Sequence, residues 1–243
     1  MNRPRPCLVF GGTGAVGSEI CRKLSRDGAQ VTFTYYKNEA RARELERELP
    51  GSHAVKCDLS DREMTAQIIA HAAQTMGGLS AMTFAVAPPN HDLHIDMNQI
   101  SRTAMQDMLD FHVAAPFAAC QAAVKLLQKN ENGANIVFIG SLAGSKAVPA
   151  PIHFAASKAA LHGLVETMSK ELGAQNVRVN VIAPGLLDGG SSSTLSALWR
   201  EGYKRRCLLR RTGKMSEIAE VVAWFCLENT YITGQAVVVD GGL

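Results

Sequence analysis

A short apolar run that leads into a glycine-rich turn is the feature that most narrowly limits the fold of this chain. Residues 7–10 (CLVF) have the pattern of a buried strand, and GGTGAVG follows at 11–17, ahead of a segment with helical spacing. Glycines spaced as Gly12, Gly14 and Gly17 let backbone amides approach a pyrophosphate at the amino terminus of a helix. The strand before the turn and the helix after it favour a dinucleotide-binding βαβ unit over a tight turn without a ligand.

Strand and helix patterns alternate over the whole length of 243 residues. A chain of this length is long enough for one large α/β domain and short for two. Seven strands joined by helical segments predict a single Rossmann-type domain over 1–243, doubly wound around a seven-stranded parallel sheet. A long helix is expected at about 102–130. After the first strand, the predicted strands are QVTFTYY (30–36), HAVKCDL (53–59), LSAMTFAVA (79–87), NIVFI (135–139), NVRVNVIAPG (176–185) and the strand that precedes VDGG near the carboxyl end.

Composition places the chain among ordinary globular proteins and excludes several classes of function. Hydrophobic residues make up 47% of the sequence and charged residues 19%. No apolar run approaches the roughly 18 residues of a membrane span. The net charge of +3 is too small to argue for nucleic acid. The amino-terminal segment leaves no room for a signal peptide before the glycine turn, so we expect a cytoplasmic protein.

The cysteines and a histidine pair do not predict a metal site. The six cysteines, at positions 7, 21, 57, 120, 207 and 226, lack CxxC pairs and zinc-ligand spacing. We expect small buried thiols rather than disulfides or ligands. His91 and His94 are three residues apart, but neither a third ligand nor an evident helix accompanies them, so no metal is predicted.

The stretch NIVFIGSLAGSKAVPAPIHFAASKAAL holds the side chains best suited to chemistry. Its apolar residues 136–139 predict a strand covered on both faces, and Ser141 follows at the carboxyl end of that strand. The segment that begins HFAASKAAL predicts a helix, on which Phe154 and Lys158 lie one turn apart. The pattern therefore brings a hydroxyl and an ammonium toward the sheet edge where doubly wound folds bind ligands.

This layout resembles the short-chain dehydrogenase/reductase family, in which a strand-end Ser and a helical YxxxK motif reduce carbonyl groups. The spacing from Ser141 to position 154 and on to Lys158 agrees with the family, but Phe154 stands where the family has its Tyr. The carboxyl-terminal ITGQAVVVDGG agrees with the family's ITGQxxxVDGG, and the resemblance covers residues 7–243. It is strongest to the 3-oxoacyl-[acyl-carrier-protein] reductase branch, which implies NADPH-dependent reduction of a 3-oxoacyl thioester to the 3-hydroxyacyl form.

The missing hydroxyl bears on the proton that carbonyl reduction requires. In the family the Lys ammonium lowers the pKa of the Tyr phenol from about 10, so that the phenol is a useful acid near neutral pH. Two accounts of Phe154 stay open: an introduced, inactivating Tyr-to-Phe change, or a proton delivered by His153 or by a water that His112 and Ser141 hold. His112 occupies the place of a family Asn that holds a water for the Lys; a satisfied core histidine is the alternative.

The resemblance also implies a cofactor. No acidic residue ends the second strand at Tyr36, and Lys37 follows, which favours the 2′-phosphate of NADP(H) over the ribose hydroxyls of NAD. Asp58 ends the third strand in the DL context where family members bind adenine; capping of the next helix is the alternative. The expected cofactor contacts are Gly11, Gly12, Thr13, Gly14, Ala15, Val16, Gly17, Tyr36, Lys37, Asp58, Leu59, Ala85, Lys158, Pro184 and Gly185.

Several other family features are changed near the expected nicotinamide position. Phe84, Ala85, Val86 and Ala87 replace the NNAG of the fourth strand, and Gly189 stands where a Thr usually follows the PG turn. These changes leave two further hypotheses open. One is a nucleotide-binding subunit with little activity in a mixed reductase oligomer, and the other is a cyclase or isomerase that transfers no hydride.

A basic segment follows the PG turn. Residues 186–214 fit the family's substrate lid, and the positive charge between Arg200 and Lys214 is suited to acidic partners. The resemblance implies an acyl carrier protein as that partner, while a solvated helix face with subunit contacts is the alternative. Because the branch forms tetramers, we expect a homotetramer or a mixed oligomer with a related subunit.

Overall fold

The computed structural model describes residues 5–88, 95–190, 192 and 195–243. At its centre is a seven-stranded sheet in which each strand runs parallel to its neighbours, in the order β3-β2-β1-β4-β5-β6-β7. The order reverses between β1 and β4, so the sheet is doubly wound, as the sequence predicts. The strands are β1 (Pro6–Phe10), β2 (Gln30–Tyr35), β3 (His53–Lys56), β4 (Ala81–Phe84), β5 (Ala134–Ile139), β6 (Val177–Pro184) and β7 (Ala236–Val239).

Helices cover both faces of the sheet. One core lies between the sheet and the third, fifth and sixth helices, and a second core lies between the sheet and the first, second and eighth. Because both faces are covered, the central strands β1, β4 and β5 are mostly apolar and buried rather than alternating. The helices are α1 (Ala15–Arg26), α2 (Glu39–Glu48), α3 (Arg62–Met76), α4 (Arg102–Leu109), α5 (Ala115–Leu127), α6 (Ile152–Leu172), α7 (Ala197–Arg206) and α8 (Met215–Leu227).

The helix expected at about 102–130 is present over residues 102–127, but it contains a π-helical turn, Asp110–Ala114, that joins α4 to α5. Pro116 lacks a backbone N–H, and in a regular α-helix its ring would meet the carbonyl four residues earlier. The Ala115 N–H bonds to the Asp110 carbonyl, five residues back, so the wider turn absorbs the proline. His112 lies within this turn.

Phe84 shows what replaces the first amide of the family's NNAG. It pairs in register with Phe10 of β1 and Phe138 of β5. The three rings stack across neighbouring strands, with centroids 4.9 Å and 5.0 Å apart, and all three are buried. Stacked aromatic pairs contribute about 0.5–1.5 kcal/mol each beyond their burial. The centre of the sheet is therefore held by an aromatic ladder at the point where the sequence lacks polar groups.

No helix in the described ranges is both long enough and apolar enough to cross a membrane.

Candidate active site

The carboxyl ends of the strands open into a cavity of about 1050 Å³. Its wall consists of the turn after β1, the ends of β2 to β6, the first turns of α6 and part of α7. Doubly wound sheets bind ligands at this edge, where the strand order reverses. The four side chains predicted for the chemistry, Ser141, Phe154, Lys158 and His112, all line this cavity.

The glycines of the turn divide into those that face the cavity and those that pack. Gly11 has φ +80°, and a Cβ there would stand 2.6 Å from the Ala85 carbonyl oxygen. Gly11 and Gly14 line the cavity together with the intervening Thr13 and the following Ala15 and Val16. Gly14 donates its N–H to the Gly11 carbonyl at 3.0 Å, which closes the turn. An anion can therefore approach this stretch of backbone closely.

Gly12 and Gly17 are not on the cavity wall in the described part of the chain, although both were expected to contact a cofactor. The Gly12 N–H donates to the Thr34 carbonyl at 2.9 Å, and a Cβ on Gly12 would meet Phe33. A Cβ on Gly17 would stand 2.1 Å from the Gly11 carbonyl oxygen. These two glycines are needed for the close packing of α1 and β2 against the turn.

At the far side of the turn, the ends of β2 and β3 carry polar groups. Tyr36, Lys37, Asp58 and Leu59, which the sequence predicts as cofactor contacts, all line the cavity. Lys37 Nζ lies 5.2 Å from the centre of the exposed Tyr36 ring. The Asp58 carboxylate accepts from the N–H and the hydroxyl of Ser60, at 3.0 Å and 2.6 Å. Asp58 therefore braces its own loop beside the cavity.

Asp61 and Arg43 are charged residues near these strand ends that do not line the cavity among the described residues and have structural roles instead. Asp61, not Asp58, caps α3 by accepting from the Met64 N–H at 2.9 Å, so the capping alternative for Asp58 is wrong. Arg43 pairs with Glu39 and Glu46 along α2, as expected for a solvated helix face.

Lys158 is anchored to the end of β5. Its Nζ donates a hydrogen bond of 3.0 Å to the Ile139 carbonyl oxygen. The same Nζ lies 5.8 Å from the centre of the Phe154 ring. Only 5% of Lys158 is exposed, and burial lowers the pKa of its ammonium to about 7, because a buried charge loses hydration. The lysine is therefore poised to exchange its proton near neutral pH.

Ser141 lies two residues beyond Ile139, in a loop that packs directly on α6. Its Oγ accepts from the Ala143 N–H at 3.2 Å and so caps a short 3-10 turn, Leu142–Gly144. Gly144 makes the close approach possible, since a Cβ there would stand 2.6 Å from the Lys158 carbonyl carbon. The hydroxyl of Ser141 can still donate to an oxygen in the cavity.

His112 is tied to the backbone of α6 through a serine. Its Nδ1 lies 2.8 Å from Ser157 Oγ, which donates to the Phe154 carbonyl at 2.8 Å. Because the Ser157 hydroxyl gives its own hydrogen to that carbonyl, it accepts the hydrogen on His112 Nδ1. The imidazole also packs edge-on against the Phe154 ring, with centroids 5.8 Å apart. His112 thus positions the helical turn that carries Phe154.

His153, the other histidine considered as a proton source, is placed differently from His112. His153 is 5% exposed and does not line the cavity among the described residues, because successive residues of α6 point about 100° apart and position 153 turns away from the wall. The structure thus gives no support to His153 as a proton source. His91 and His94 lie outside the described residues.

Expected contacts at the ends of β4 and β6 also line the cavity. Ala85 lies on its wall with Val86 and Ala87, so the end of β4 is apolar here. Pro184 and Gly185 line it from β6, and Gly189 lines it with φ +93°.

The sequence did not indicate Tyr203, Leu243 or Lys146 as parts of this site. Tyr203 and Leu243 both line the cavity, and Tyr203 donates its hydroxyl to the Asp240 carbonyl at 2.9 Å. Lys146 pairs with the Asp240 carboxylate at 2.7 Å and also donates to the Leu243 carbonyl. These bonds hold the carboxyl-terminal residues against the loop after β5. No local pattern predicts a contact between segments so distant in sequence.

Ion pairs neutralise part of the positive charge between Arg200 and Lys214. Lys204 pairs with Glu201 at 2.8 Å, and Arg211 forms two short bonds to Glu217. Arg206 lines the cavity. Leu208 and Leu209 are 75% and 60% exposed beside these charges, so the segment presents both apolar and positive surface.

The described cysteines are all free and buried, as expected. Burial raises the pKa of Cys226 to about 11, so it is an unreactive thiol. The described residues contain no group of three or more His, Cys, Asp or Glu side chains that could hold a metal ion.

Comparisons with known proteins agree over nearly the whole chain. A family model described as enoyl-(acyl carrier protein) reductase matches residues 12–243. Carbonyl reductase family member 4 of Danio rerio is 32% identical over 244 residues, which cover 98% of each chain. The 3-oxoacyl-[acyl-carrier-protein] reductase of Bos taurus is 31% identical over 241 residues, covering 98% of this chain and 97% of the relative. A short chain dehydrogenase of Burkholderia cenocepacia, solved in complex with NADP, superposes with a TM-score of 0.88 at 27% identity, covering 99% of both chains.

Proposed function

Since the chain belongs to the short-chain dehydrogenase/reductase family, we propose that its cavity reduces the 3-oxo group of an acyl thioester, with NADP(H) as the cofactor. The observation that carries this proposal is the convergence of Ser141 and Lys158 at one end of a cavity whose other end has the glycine turn. A site that only bound a nucleotide would not need a hydroxyl beside the lysine.

The residues present fit NADP(H). Gly14 is the residue before α1 and lines the cavity with Gly11, so the amino terminus of this helix, where a phosphate is favoured, faces the cavity. Lys37 and Tyr36 form the wall where β2 ends, without an acid that would repel a 2′-phosphate. Asp58 lies across from them at the end of β3. The family relative from Burkholderia cenocepacia was solved with NADP.

Each residue near Ser141 has a task in this reaction. When bound, the cofactor supplies a hydride to the carbonyl carbon. Ser141 would donate its hydroxyl hydrogen to the carbonyl oxygen and so orient the carbon and stabilise the developing negative charge. Lys158, held by the Ile139 carbonyl, would place its positive charge beside the same oxygen and beside the cofactor ribose. Phe154 contributes shape and excludes water, but it has no proton to give.

The substrate class rests on the relatives and on the apolar end of the cavity. Relatives named 3-oxoacyl-[acyl-carrier-protein] reductase are 27% to 31% identical to this chain. Leu195, Trp199, Tyr203 and Leu243 line the cavity beyond Ser141, which suits an acyl chain. Arg206 with the exposed Leu208 would receive an acidic carrier that presents the thioester. The segment 186–214 would then act as a substrate lid.

The apolar surroundings of Ser141 favour a second candidate. Phe154 lacks a hydroxyl, and Ala85 to Ala87 lack the family's amides, whereas the turn and Asp58 are kept. A chain of this kind could serve as a nucleotide-binding subunit in a mixed oligomer with an active reductase.

One experiment separates the two candidates. Purified protein, as the given chain and as Phe154→Tyr, is mixed with NADPH and a 3-oxoacyl thioester, and NADPH oxidation is followed by absorbance. We expect the Tyr variant to be faster by about a hundredfold or more, because a positioned acid contributes about 10²–10⁴ in rate. Binding of NADPH, measured by fluorescence, should be equal in the two forms. Binding without oxidation in both forms would contradict the reductase and support the subunit.

A further inference from the structure

Lys158 lines the cavity, and a hydrogen bond holds its Nζ at the end of β5, two residues before Ser141. We propose that Lys158 is itself the acid that gives a proton to the substrate oxygen, in place of the phenol that Phe154 lacks. This inference rests on the proposed function, and it concerns how the chain works with Phe at position 154.

The anchor of Lys158 does not depend on its charge. An ammonium has three N–H donors and a neutral amine has two. Among the described residues, the hydrogen bond of Nζ is the one to the Ile139 carbonyl, at 3.0 Å. That bond persists in either protonation state, so Nζ stays at the end of β5. Ser141 follows Ile139 by two residues, and its loop packs on the Lys158 backbone through Gly144.

The surroundings of Nζ favour release of a proton. The Phe154 ring covers one side at 5.8 Å from its centre, and burial alone lowers the pKa of Lys158 to about 7. An acid whose pKa lies near the working pH is the most effective proton donor. With a Tyr at 154, a phenol would lie between the lysine and the substrate; the Phe ring leaves that path without a hydroxyl.

The other charged and titratable groups around the cavity do not account for this behaviour. His112 faces the Phe154 ring from the π-helical turn, and Asp96 lines the cavity from the loop before α4. Asp58, Lys37 and Arg206 lie on the wall at the ends of other elements. None of the five is a cause of the lowered pKa of Lys158. His112 Nδ1 is engaged with Ser157.

The proposed step balances. The carbonyl carbon receives the hydride that the bound cofactor supplies, and the electron pair of the C=O π bond moves to oxygen. Lys158 Nζ then transfers one proton to that oxygen. One C–H and one O–H bond form, the ketone is reduced to an alcohol, and the cofactor is oxidised. The lysine is left as a neutral amine that regains its proton from water.

The first test needs no activity. The cofactor-free chain is treated with a trace of acetic anhydride between pH 5 and pH 11, and acetylation of each lysine peptide is measured by mass spectrometry. We expect labelling of Lys158 to reach half of its plateau near the pH of about 7 that its burial implies. Lys170, exposed on the same helix, is the internal reference for reagent decay. Labelling of Lys158 that begins only above about pH 9, as for an ordinary lysine, would contradict the proposal.

The second test uses NADPH oxidation with a 3-oxoacyl thioester. In the given chain, kcat/KM should fall as pH rises through about 7, because Lys158 then loses the proton that it would donate. In Phe154→Tyr the fall should move to higher pH, because the phenol becomes the donor. A rate of the given chain that does not change across this range would overturn the assignment of Lys158.

Replacement of the lysine separates donation from binding. Lys158→Arg keeps a positive charge, but a guanidinium does not release its proton in proteins. It should still bind NADPH by fluorescence yet lose at least about tenfold in rate, while Lys170→Arg on the same helix should be unchanged. In the Phe154→Tyr background, Lys158→Arg should retain more of its rate.

The outcomes distinguish the two proposals. Reduction by Phe154→Tyr together with none by the given chain at any pH would support the proposed function and overturn Lys158 as donor. No reduction by either form would contradict the proposed function itself. If the given chain reduces the substrate and Lys158→Arg loses that rate while it keeps NADPH binding, the result would support both the proposed function and Lys158 as the donor.

Discussion

The two ends of the cavity differ in how closely they follow the family. The end formed by the glycine turn and by Lys37 and Asp58 keeps the groups expected for a dinucleotide. The end around Ser141 keeps the lysine but has Phe154 and an apolar β4 terminus. Apart from Lys158, which serves both, the side chains proposed for binding and for chemistry are different, so one set can change while the other is maintained. Substitutions confined to one end therefore separate binding from chemistry.

The largest expected effect is at the chemical end. Ser141→Ala in the Phe154→Tyr background removes the donor to the carbonyl oxygen and should lower kcat by about a hundredfold. NADPH binding should stay the same, because Ser141 follows β5, two strands away from the glycine turn after β1. Ser145→Ala, an exposed serine in the same loop, is the control and should not alter the rate. A drop in NADPH affinity equal to the drop in rate would mean that the two ends are not separable.

Gly17→Ala tests the binding end. Its Cβ would stand 2.1 Å from the Gly11 carbonyl, so the turn and α1 must move apart. We expect a loss of about 1–3 kcal/mol in the free energy of unfolding, measured in urea, and weaker NADPH binding. Gly163→Ala, inside α6 with nothing within 4 Å of its Cβ, should instead stabilise by about 0.5–1 kcal/mol. Equal effects of the two substitutions would show that the turn is not tightly packed.

Lys37→Glu probes cofactor choice at the same end. A negative charge at the end of β2 repels a 2′-phosphate, so the Kd for NADPH should rise by about tenfold, which is about 1.4 kcal/mol. The Kd for NADH should change little. Lys56→Glu makes the same charge change on β3, away from the cavity wall, and is the control. A similar loss for NADH and NADPH would remove Lys37 from any contact with the 2′-phosphate.

The smallest effect is expected at the exposed pair between Arg211 and Glu217. Bonds from the Arg211 guanidinium and the Lys214 N–H lower the pKa of Glu217 to about 2. Because the pKa of Glu217 is lower in the folded protein than in the unfolded chain, its carboxylate stabilises the fold above the unfolded pKa of about 4.3. This stabilisation is lost as pH falls toward 2. Because the carboxylate is 40% exposed, Arg211→Ala should cost at most about 1 kcal/mol at pH 7. Urea unfolding of both forms at pH 7 and pH 2.5 measures this, and a loss that grows on acidification would contradict it.

Local patterns were sufficient for the strands, for most helices and for the residues on the cavity wall next to the turn. They located the long helix over α4 and α5 but not the π-helical turn within it, although Pro116 was visible in the sequence. A proline at this position disrupts a regular α-helix, and the structure shows that a wider turn accommodates it without ending the helix. The packing of Gly12 and Gly17, and the ladder of Phe10, Phe84 and Phe138, also required knowledge of which strands are neighbours.

The amino-acid sequence is enough to predict the doubly wound sheet, the glycine turn, and the spacing of Ser141, Phe154 and Lys158. These follow from apolar periodicity and from local backbone rules, which act between residues close in the chain. The three-dimensional packing is needed to see that Lys158 is buried and anchored to Ile139, that His112 is bonded to Ser157, and that Leu243 lines the cavity. Burial and hydrogen bonding between distant segments depend on packing, and packing also lowers the pKa of the lysine.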